Sequence, residues 1–208
     1  MSFVGRTLIP APHGQLEAIY RSSETAERAA LVLHPHPLYG GTMHNKVVYQ
    51  TAKALEAAGF VTLRFNFRGV GDSTGSHDGG RGATDDARTA LDYLLAHQPA
   101  VREVLVAGFS FGASVTVRFG CGDARVQRLI AIATPASWLD ADLLTRCAKP
   151  IAFIHGDRDD VAPLSALNTL LGGVTDRSTL SLHIIPGAGH FFEDHLDELA
   201  QTVRKLAA

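Results

Sequence analysis

Short apolar runs alternate with longer segments of mixed hydrophobic and polar residues along most of the chain. Apolar runs of this length predict buried strands, and the mixed segments predict helices. The predicted strands cover residues 7–9, 16–21, 31–34, 61–67, 104–109, 129–133, 151–155 and 180–185. The predicted helices cover residues 46–58, 83–97 and 194–207, with a further helical stretch at 113–119. This alternation is typical of an α/β protein with a mostly parallel central sheet and helices on both faces.

The composition is that of a globular protein of modest size. With 208 residues, 46% of them hydrophobic, the chain can bury one sizeable core, and we predict a single domain over residues 1–208. The net charge is −2 and basic residues form no block, so neither nucleic acid nor a membrane is expected as a partner. The N-terminus lacks a signal peptide's apolar stretch, and no run approaches the ~18 apolar residues of a membrane span. A cytoplasmic location is therefore expected, and the oligomeric state is not indicated.

Cys121 and Cys147 are the two cysteines of the chain. They are too few for a disulfide framework and too isolated for a tetrahedral zinc site. Cys121 follows the helical stretch at 113–119, where it can pack against its surroundings. We predict structural roles for both.

A Gly-x-Ser-x-Gly sequence ends the apolar run at 104–109. Serine in that setting lies on a sharp turn between a strand and a helix, with its hydroxyl raised at the edge of the sheet. Ser110 is therefore a candidate nucleophile. The alternative is a capping role, because serine is favoured at helix N-caps and a helical stretch follows directly.

A serine nucleophile needs a base that accepts its proton and an acid that orients the base. Two later segments offer both. A carboxylate-rich turn follows the predicted strand at 151–155, and a glycine-rich loop with a histidine follows the strand at 180–185. In open parallel sheets, ligands bind at the carboxyl ends of the strands, so these loops are expected to meet there.

These segments resemble the α/β-hydrolase superfamily over nearly the whole chain, from about residue 31 to the C-terminal helix. The matching pieces are the His-Pro-His-Pro turn at 34–37, the Arg-Gly-Val-Gly-Asp-Ser segment at 68–73, the Gly-x-Ser-x-Gly turn, the Gly-Asp-x-Asp-x-Val-x-Pro loop at 156–163 and the Gly-x-Gly-His-Phe loop at 187–191. Within the superfamily the chain is similar to small bacterial serine hydrolases without a lid, near the dienelactone-hydrolase-like group. Dienelactone hydrolases use a cysteine nucleophile, so Ser110 argues against their particular reaction.

The resemblance selects the acid of the predicted triad. The family pattern Gly-x-x-Asp, counted from Gly156, falls on Asp159. Alternation along the chain then turns Asp157 and Asp160 toward other surroundings. A carboxylate such as Asp160 can instead cap the helix that we predict to begin near Pro163.

The base is predicted to be His190, in the Gly-x-Gly-His-Phe loop. His183 lies inside a strand pattern, and His195 falls a helical turn later. His190 is favoured over both for these reasons.

The resemblance also assigns the turn after the strand at 31–34 to the oxyanion hole. Pro35 and Pro37 have no N–H to donate. That leaves the backbone N–H of His36, with Leu38 as the second choice, beside the N–H of Phe111, the residue after the nucleophile.

Metal binding is the alternative role for His34, His36 and His44. A His-x-His sequence places two imidazoles on one side of an extended chain. However, no further ligands follow at close spacing, and the prolines after His34 and His36 fix the segment in a rigid turn. A role without a metal is favoured.

The glycine-rich stretch at 69–82 faintly resembles a dinucleotide-binding loop. Its third glycine is displaced by one residue from G-x-G-x-x-G, and several loop-like residues follow where a helix would have to begin. We predict a structural loop in which Arg68 and Asp72 shape the region near Ser110.

The predicted activity is that of a serine hydrolase acting on a carboxylic ester or thioester. His190 takes the Ser110 proton, Asp159 stabilises the imidazolium, and water resolves the acyl-enzyme. This chemistry needs no metal or organic cofactor, and esterases, thioesterases and peptidases share it. A non-catalytic ligand-binding or interaction protein on the same fold is the alternative, because a fold alone does not fix function.

Many relatives carry a helical lid after the strand that follows the nucleophile helix. Here residues 135–149 leave room for one short helix, so no cap domain is predicted. Tyr39, Trp138, Val161 and Phe191 are candidates for lining an open substrate site, with ordinary packing as the alternative.

Overall fold

The computed structural model describes residues 2–23 and 25–208, which form one eight-stranded sheet flanked by helices. In chain order the strands are β1 (Ser2–Ala11), β2 (Gly14–Ser23), β3 (Arg28–Leu33), β4 (Val61–Phe65), β5 (Glu103–Phe109), β6 (Arg128–Ile132), β7 (Ile151–Gly156) and β8 (Leu180–Ile185). Their order across the sheet is β1-β2-β4-β3-β5-β6-β7-β8. β1 and β2 form an antiparallel hairpin, β2 is antiparallel to β4, and all later pairs are parallel. The predicted mostly parallel sheet is confirmed.

The hairpin is longer than the pattern of apolar residues predicts. β1 and β2 pair over ten residues each, whereas the apolar positions indicate strands only at 7–9 and 16–21. β1 lies at the edge of the sheet, where polar side chains and Pro10 are tolerated because one side of the strand faces no neighbour. Polar residues therefore interrupt the apolar pattern at positions that still belong to the strand, and the pattern predicts a strand that is too short.

Six helices cover the two faces of the sheet within the described residues. They are α1 (Lys46–Ala57), α2 (Ala83–Ala96), α3 (Phe111–Gly122), α4 (Ala141–Arg146), α5 (Leu164–Gly172) and α6 (Leu196–Ala207). One apolar cluster joins the sheet to α2, α3, α4 and α5. A second cluster joins the opposite face to α1 and α6. The predicted helices on both faces are thus confirmed.

The connection between β6 and β7 is short. It holds a 3₁₀ turn (Ala136–Trp138) and the six-residue helix α4. As predicted, no lid formed by residues 2–23 or 25–208 covers the carboxyl ends of the strands.

Cys121 and Cys147 form a disulfide, with their Cα atoms 5.2 Å apart. Cys121 is in the last turn of α3 and Cys147 follows α4. The sequence predicts structural roles for the two cysteines but not their pairing, because their 26-residue separation does not reveal that α3 and the segment before β7 converge. Disulfides persist mainly in oxidising compartments, so this bond does not favour the expected cytoplasmic location.

Among the helices that the structure describes, none combines the length and the apolar composition needed to cross a bilayer.

Candidate active site

Ser110 lies in the sharp turn between β5 and α3. Its backbone has φ 55° and ψ −118°, a conformation that side-chain-bearing residues rarely adopt. The two flanking glycines allow the turn. A Cβ on Gly108 would lie 2.3 Å from the Gly112 carbonyl oxygen, and a Cβ on Gly112 would lie 2.6 Å from the Leu33 and His34 carbonyl oxygens. Although Ser110 precedes the helix, its side chain makes no capping hydrogen bond.

The structure brings Ser110, His190 and Asp159 together, and all three are buried. Nε2 of His190 lies 3.0 Å from the Ser110 Oγ, and Nδ1 of His190 lies 2.8 Å from an Asp159 carboxylate oxygen. A carboxylate can only accept, so Nδ1–H donates to Asp159. That tautomer leaves the lone pair of Nε2 free to accept the hydroxyl proton.

The acid loop fixes Asp159 through its other oxygen. Oδ1 of Asp159 accepts the N–H of Val161 at 3.0 Å and the N–H of Ala162 at 2.7 Å, which leaves Oδ2 for His190. Asp157 instead accepts the N–H of Gly187 at 2.6 Å and so ties the acid loop to the histidine loop. Asp160 is exposed.

His155 is a buried neighbour of the acid that the sequence pattern does not single out. It lies near the end of β7, donates from Nε2 to the Ala162 carbonyl oxygen at 2.6 Å and lies 3.5 Å from Oδ2 of Asp159. Burial lowers the pKa of His155, so the imidazole is neutral and adds no charge to the acid. The one signal for it in the sequence is a histidine in an otherwise apolar strand beside the carboxylates.

The two alternatives to His190 as the base lie elsewhere. His183 is in β8, with Nε2 3.0 Å from the Ser181 hydroxyl. His195 ends the 3₁₀ turn before α6. Neither is hydrogen-bonded to Ser110.

The predicted oxyanion amides belong to His36, in the turn after β3, and to Phe111, the residue after the nucleophile. Neither the N–H of Phe111, the first residue of α3, nor that of His36 has an acceptor among the described residues. The N–H of Leu38, the second choice, donates to Nδ1 of His36 at 3.2 Å. Of the three candidate donors, the N–H groups of His36 and Phe111 are therefore the two without an acceptor among the described residues.

His34 holds this turn against the sheet. Its Nδ1 donates to the Pro35 carbonyl oxygen at 2.6 Å, and its Nε2 accepts the N–H of Phe67 at 3.0 Å. Burial is the main reason that the pKa of His34 falls to about 3, and the neighbouring His36 lowers it further. Both ring nitrogens are thus used for structure. No group of three metal-ligating side chains is found in the described part of the chain.

The glycine-rich loop is held by two buried carboxylates. Arg68 donates to Asp86 at 2.7 Å and to the Gly82 carbonyl oxygen at 2.9 Å. The N–H of Asp72 donates to Glu17 at 2.9 Å. Burial alone would raise the pKa of Glu17, but hydrogen bonds from Asp72 and Asn66 and the charge of Arg6 hold that pKa below its ordinary value.

The loop also contributes a histidine that the sequence pattern does not identify. The His77 ring lies 4.9 Å from the His36 ring and 5.9 Å from the Phe111 ring, measured between centroids. Burial, and then the charge of His77, lower the pKa of His36. The His36 imidazole is therefore neutral near neutral pH, and its ring centroid lies 5.0 Å from that of Phe111.

Four large side chains are predicted to line the substrate site. Tyr39 and Trp138 lie beside His36, with ring centroids 4.8 and 5.7 Å away. Phe191 lies 5.1 Å from the His190 ring. Tyr39, Val161 and Phe191 are 87%, 61% and 48% exposed, so all three are accessible to a ligand.

A cleft of about 380 Å³ opens next to Phe191, the residue after His190. Its lining includes Gly40, Thr42, His44, Lys46, Phe191 and Glu193. It lies between the segment at 40–47 and the histidine loop, and Ser110, His190 and Asp159 are not among its lining residues.

Comparisons with known proteins agree with this architecture. The family model described as serine aminopeptidase S33 matches residues 26–149. An uncharacterized protein of Rickettsia prowazekii is 35% identical over 199 residues, covering 92% of this chain and 84% of that protein.

Three solved structures superpose closely on the chain. A putative α/β hydrolase from Agrobacterium tumefaciens has a TM-score of 0.89 at 35% identity, covering 97% of this chain and 94% of the other. An α/β serine hydrolase homologue from Coxiella burnetii has a TM-score of 0.86 at 35% identity, covering 98% and 97%. An α/β serine hydrolase without a lid from Xanthomonas campestris has a TM-score of 0.86 at 33% identity, covering 97% and 92%. The chain belongs to the α/β-hydrolase superfamily, and like the Xanthomonas protein it has no lid among its described residues.

Proposed function

We propose that the protein hydrolyses a carboxylic ester or thioester through an acyl-enzyme on Ser110. The observation that carries the proposal is the continuous hydrogen-bonded chain from Ser110 Oγ through His190 to Asp159, with links of 3.0 and 2.8 Å. Structural serines do not need a buried imidazole and carboxylate in this order, whereas a serine nucleophile does.

The reaction follows from the positions of these groups. His190 Nε2 takes the hydroxyl proton as Ser110 Oγ attacks the carbonyl carbon. The negative oxygen of the tetrahedral intermediate is bound by the N–H groups of Phe111 and His36. The imidazolium, stabilised by Asp159, returns its proton to the departing alcohol or thiol. Water, deprotonated by His190, then attacks the acyl-enzyme and releases the acid.

A fluorophosphonate probe tests the nucleophile directly. It should label the wild-type protein at Ser110, fail to label the Ser110→Ala variant, and label the matched control Ser114→Ala, which changes a buried serine one turn along α3. Hydrolysis of 4-nitrophenyl butyrate should fall by up to roughly a million-fold in Ser110→Ala. Activity within tenfold of wild type in that variant would exclude the proposal.

A substrate panel separates the related activities. It should contain acyl 4-nitrophenyl esters, acyl thioesters and aminoacyl 4-nitroanilides, the last because the matching family model is described as an aminopeptidase. Esters or thioesters are expected to be turned over fastest. The proposed chemistry uses no metal, so a chelator should leave turnover unchanged, and strong inhibition would instead support metal binding by the histidine-rich turn. Absence of both labelling and turnover would favour a non-catalytic ligand-binding protein.

A further inference from the structure

Arg118 is a half-buried cation with no carboxylate partner in the described part of the chain. It lies on α3, and its Nε and Nη2 atoms are buried without a hydrogen-bond partner among those residues. Burial is the one cause that shifts its pKa, and the shift is downward. Arg68 and Arg125, by contrast, have carboxylate partners that raise their pKa. Buried guanidinium donors are nearly always paired. The third nitrogen, Nη1, has no hydrogen-bond partner among the described residues and is not buried, so it is the donor that an external acceptor can reach.

Trp138 connects Arg118 to the proposed oxyanion site. The guanidinium carbon lies 5.9 Å from the Trp138 ring centroid. The same indole lies 5.3 Å from the Phe111 ring and 5.7 Å from the His36 ring. The Trp138 indole thus lies next to the Arg118 guanidinium and to the side chains of His36 and Phe111, whose backbone N–H groups are the proposed oxyanion donors.

The distance suits a substrate of moderate length. Eight residues separate Ser110 from Arg118, which corresponds to about 12 Å along the helix axis. Helical side chains lean toward the N-terminus, which shortens the gap to the guanidinium. Because the Arg118 side chain spans part of this interval, we infer that an acyl chain of about six carbons, with its carbonyl at Ser110, brings its far end within reach of the guanidinium.

The side chains around Trp138 and Phe111 offer little competition to an anion that binds Arg118. The side chains that pack on Trp138 and Phe111 include His36 and His77, which carry no negative charge in either protonation state. Asp78, in the neighbouring loop, already accepts the N–H of Gly82 and pairs with Arg68. The site therefore favours an anion over a neutral or cationic group.

We propose that Arg118 and Trp138 form a subsite for a carboxylate at the far end of the acyl group, so that the preferred substrates are half-esters or half-thioesters of dicarboxylic acids. The subsite rests on the proposed function. Hydrolysis of such a substrate adds one water and releases an alcohol or thiol together with a dicarboxylate.

The kinetic test compares two substrates of equal length. The wild-type protein should hydrolyse 4-nitrophenyl hydrogen adipate with a kcat/KM at least about tenfold above that of 4-nitrophenyl hexanoate, as expected for a charge-assisted hydrogen bond. Arg118→Gln should abolish this preference, mainly through KM, while hexanoate hydrolysis stays within about twofold. Arg118→Lys should keep part of it, because the charge remains without the planar fork.

The matched control is Arg146→Gln, which removes an exposed arginine from nearby α4 and should leave the preference unchanged. 4-Carboxyphenyl butyrate, which carries its carboxylate on the leaving group, should show no dependence on Arg118. The subsite would be overturned if Arg118→Gln lowered kcat/KM equally for the adipate and hexanoate esters. It would also be overturned if Arg118→Gln lowered kcat/KM for 4-carboxyphenyl butyrate.

A binding test does not depend on turnover. Trp138 is the single tryptophan of the chain, so its fluorescence reports on this site alone. In the Ser110→Ala protein, monomethyl adipate should change the fluorescence at concentrations about tenfold below those needed for neutral methyl hexanoate, and adding Arg118→Gln should remove the difference. Equal responses to the two ligands would refute the subsite. If the protein still binds monomethyl adipate more tightly than methyl hexanoate, but the fluorophosphonate does not label the wild type, only the proposed hydrolysis is refuted and the subsite stands.

Discussion

The side chains of Asp159 and His190 meet at 2.8 Å although 31 residues separate them in the chain. The contact forms because β7 and β8 are adjacent and parallel, so the loops that leave their carboxyl ends lie side by side. Asp157, two residues earlier, reinforces the same junction by binding the Gly187 N–H.

The three carboxylates of the acid loop should differ sharply when each is changed to asparagine. We expect Asp159→Asn to lower turnover by roughly ten-thousand-fold, because the amide no longer favours the tautomer in which Nε2 of His190 is a base. Asp157→Asn keeps an oxygen for Gly187 and should change turnover little, as should Asp160→Asn at an exposed position. Steady-state kinetics measures all three. Loss of turnover in Asp157→Asn, together with retained turnover in Asp159→Asn, would show that Asp157 is the acid.

The backbone conformation of Ser110 should make a glycine variant at this position more stable than an alanine variant, although both lose activity. Glycine tolerates φ 55° and ψ −118° without strain, whereas serine and alanine do not. Ser110→Gly should therefore be more stable than Ser110→Ala by about 1 kcal/mol after the greater freedom of unfolded glycine is subtracted, and both should be inactive. Urea unfolding of the two variants provides the comparison. An alanine variant at least as stable as the glycine variant would contradict strain at this turn.

His34 should make the fold sensitive to acid. Its pKa is about 3 in the folded protein, against 6.5 for an unperturbed histidine, so between these values the unfolded chain binds a proton that the folded chain does not. Stability therefore falls as the pH drops through this window, by up to about 1.4 kcal/mol per pH unit from this group. His34→Asn should remove that part of the slope. Urea unfolding between pH 7 and pH 4 measures it, and parallel slopes for the two proteins would show that His34 is not responsible.

Breaking the disulfide should destabilise the fold. For a 26-residue separation the chain-entropy treatment gives about 3–4 kcal/mol. The double variant Cys121→Ser/Cys147→Ser should show this loss in guanidinium unfolding, and a reductant should destabilise wild type but not the variant. Thiol titration of the unreduced, unfolded protein offers a separate check. Two free thiols per chain would mean that the bond does not form.

Neutral acyl chains should gain little beyond a short length. The short β6–β7 connection does not enclose the site, so each further methylene stays in contact with water and does not gain the ~0.8 kcal/mol that burial provides. For acyl 4-nitrophenyl esters, kcat/KM should rise from acetyl to about butyryl or hexanoyl and then level off or fall. The series must be measured below the micelle concentration of each ester. A steady rise through dodecanoyl would reveal an enclosed channel near Tyr39 and Trp138.

Much of the fold is readable from the sequence because each parallel strand in the middle of the sheet is buried on both faces and so forms a continuous apolar run. The site follows for a related reason. Turn chemistry is local, and the glycines around Ser110 and the prolines around His36 are visible without the structure.

What the sequence could not show depends on contacts between distant elements. The Cys121–Cys147 bond requires the ends of α3 and α4 to meet. Whether Arg118 has a partner depends on all of its neighbours in space, and no local pattern records that the described residues provide none. His77 and His155 acquire their positions only when their loop and strand pack beside the site.

The disulfide has a further consequence for how new specificities can arise. It closes a covalent ring that contains β6, the 3₁₀ turn and α4, which is the stretch where a lid would be inserted. A segment added there would begin and end inside the ring, and lengthening a loop raises the entropic cost of closing it only slowly. Grafted lids of different length could therefore be screened at this position while the strands that carry Ser110 and Asp159 stay anchored.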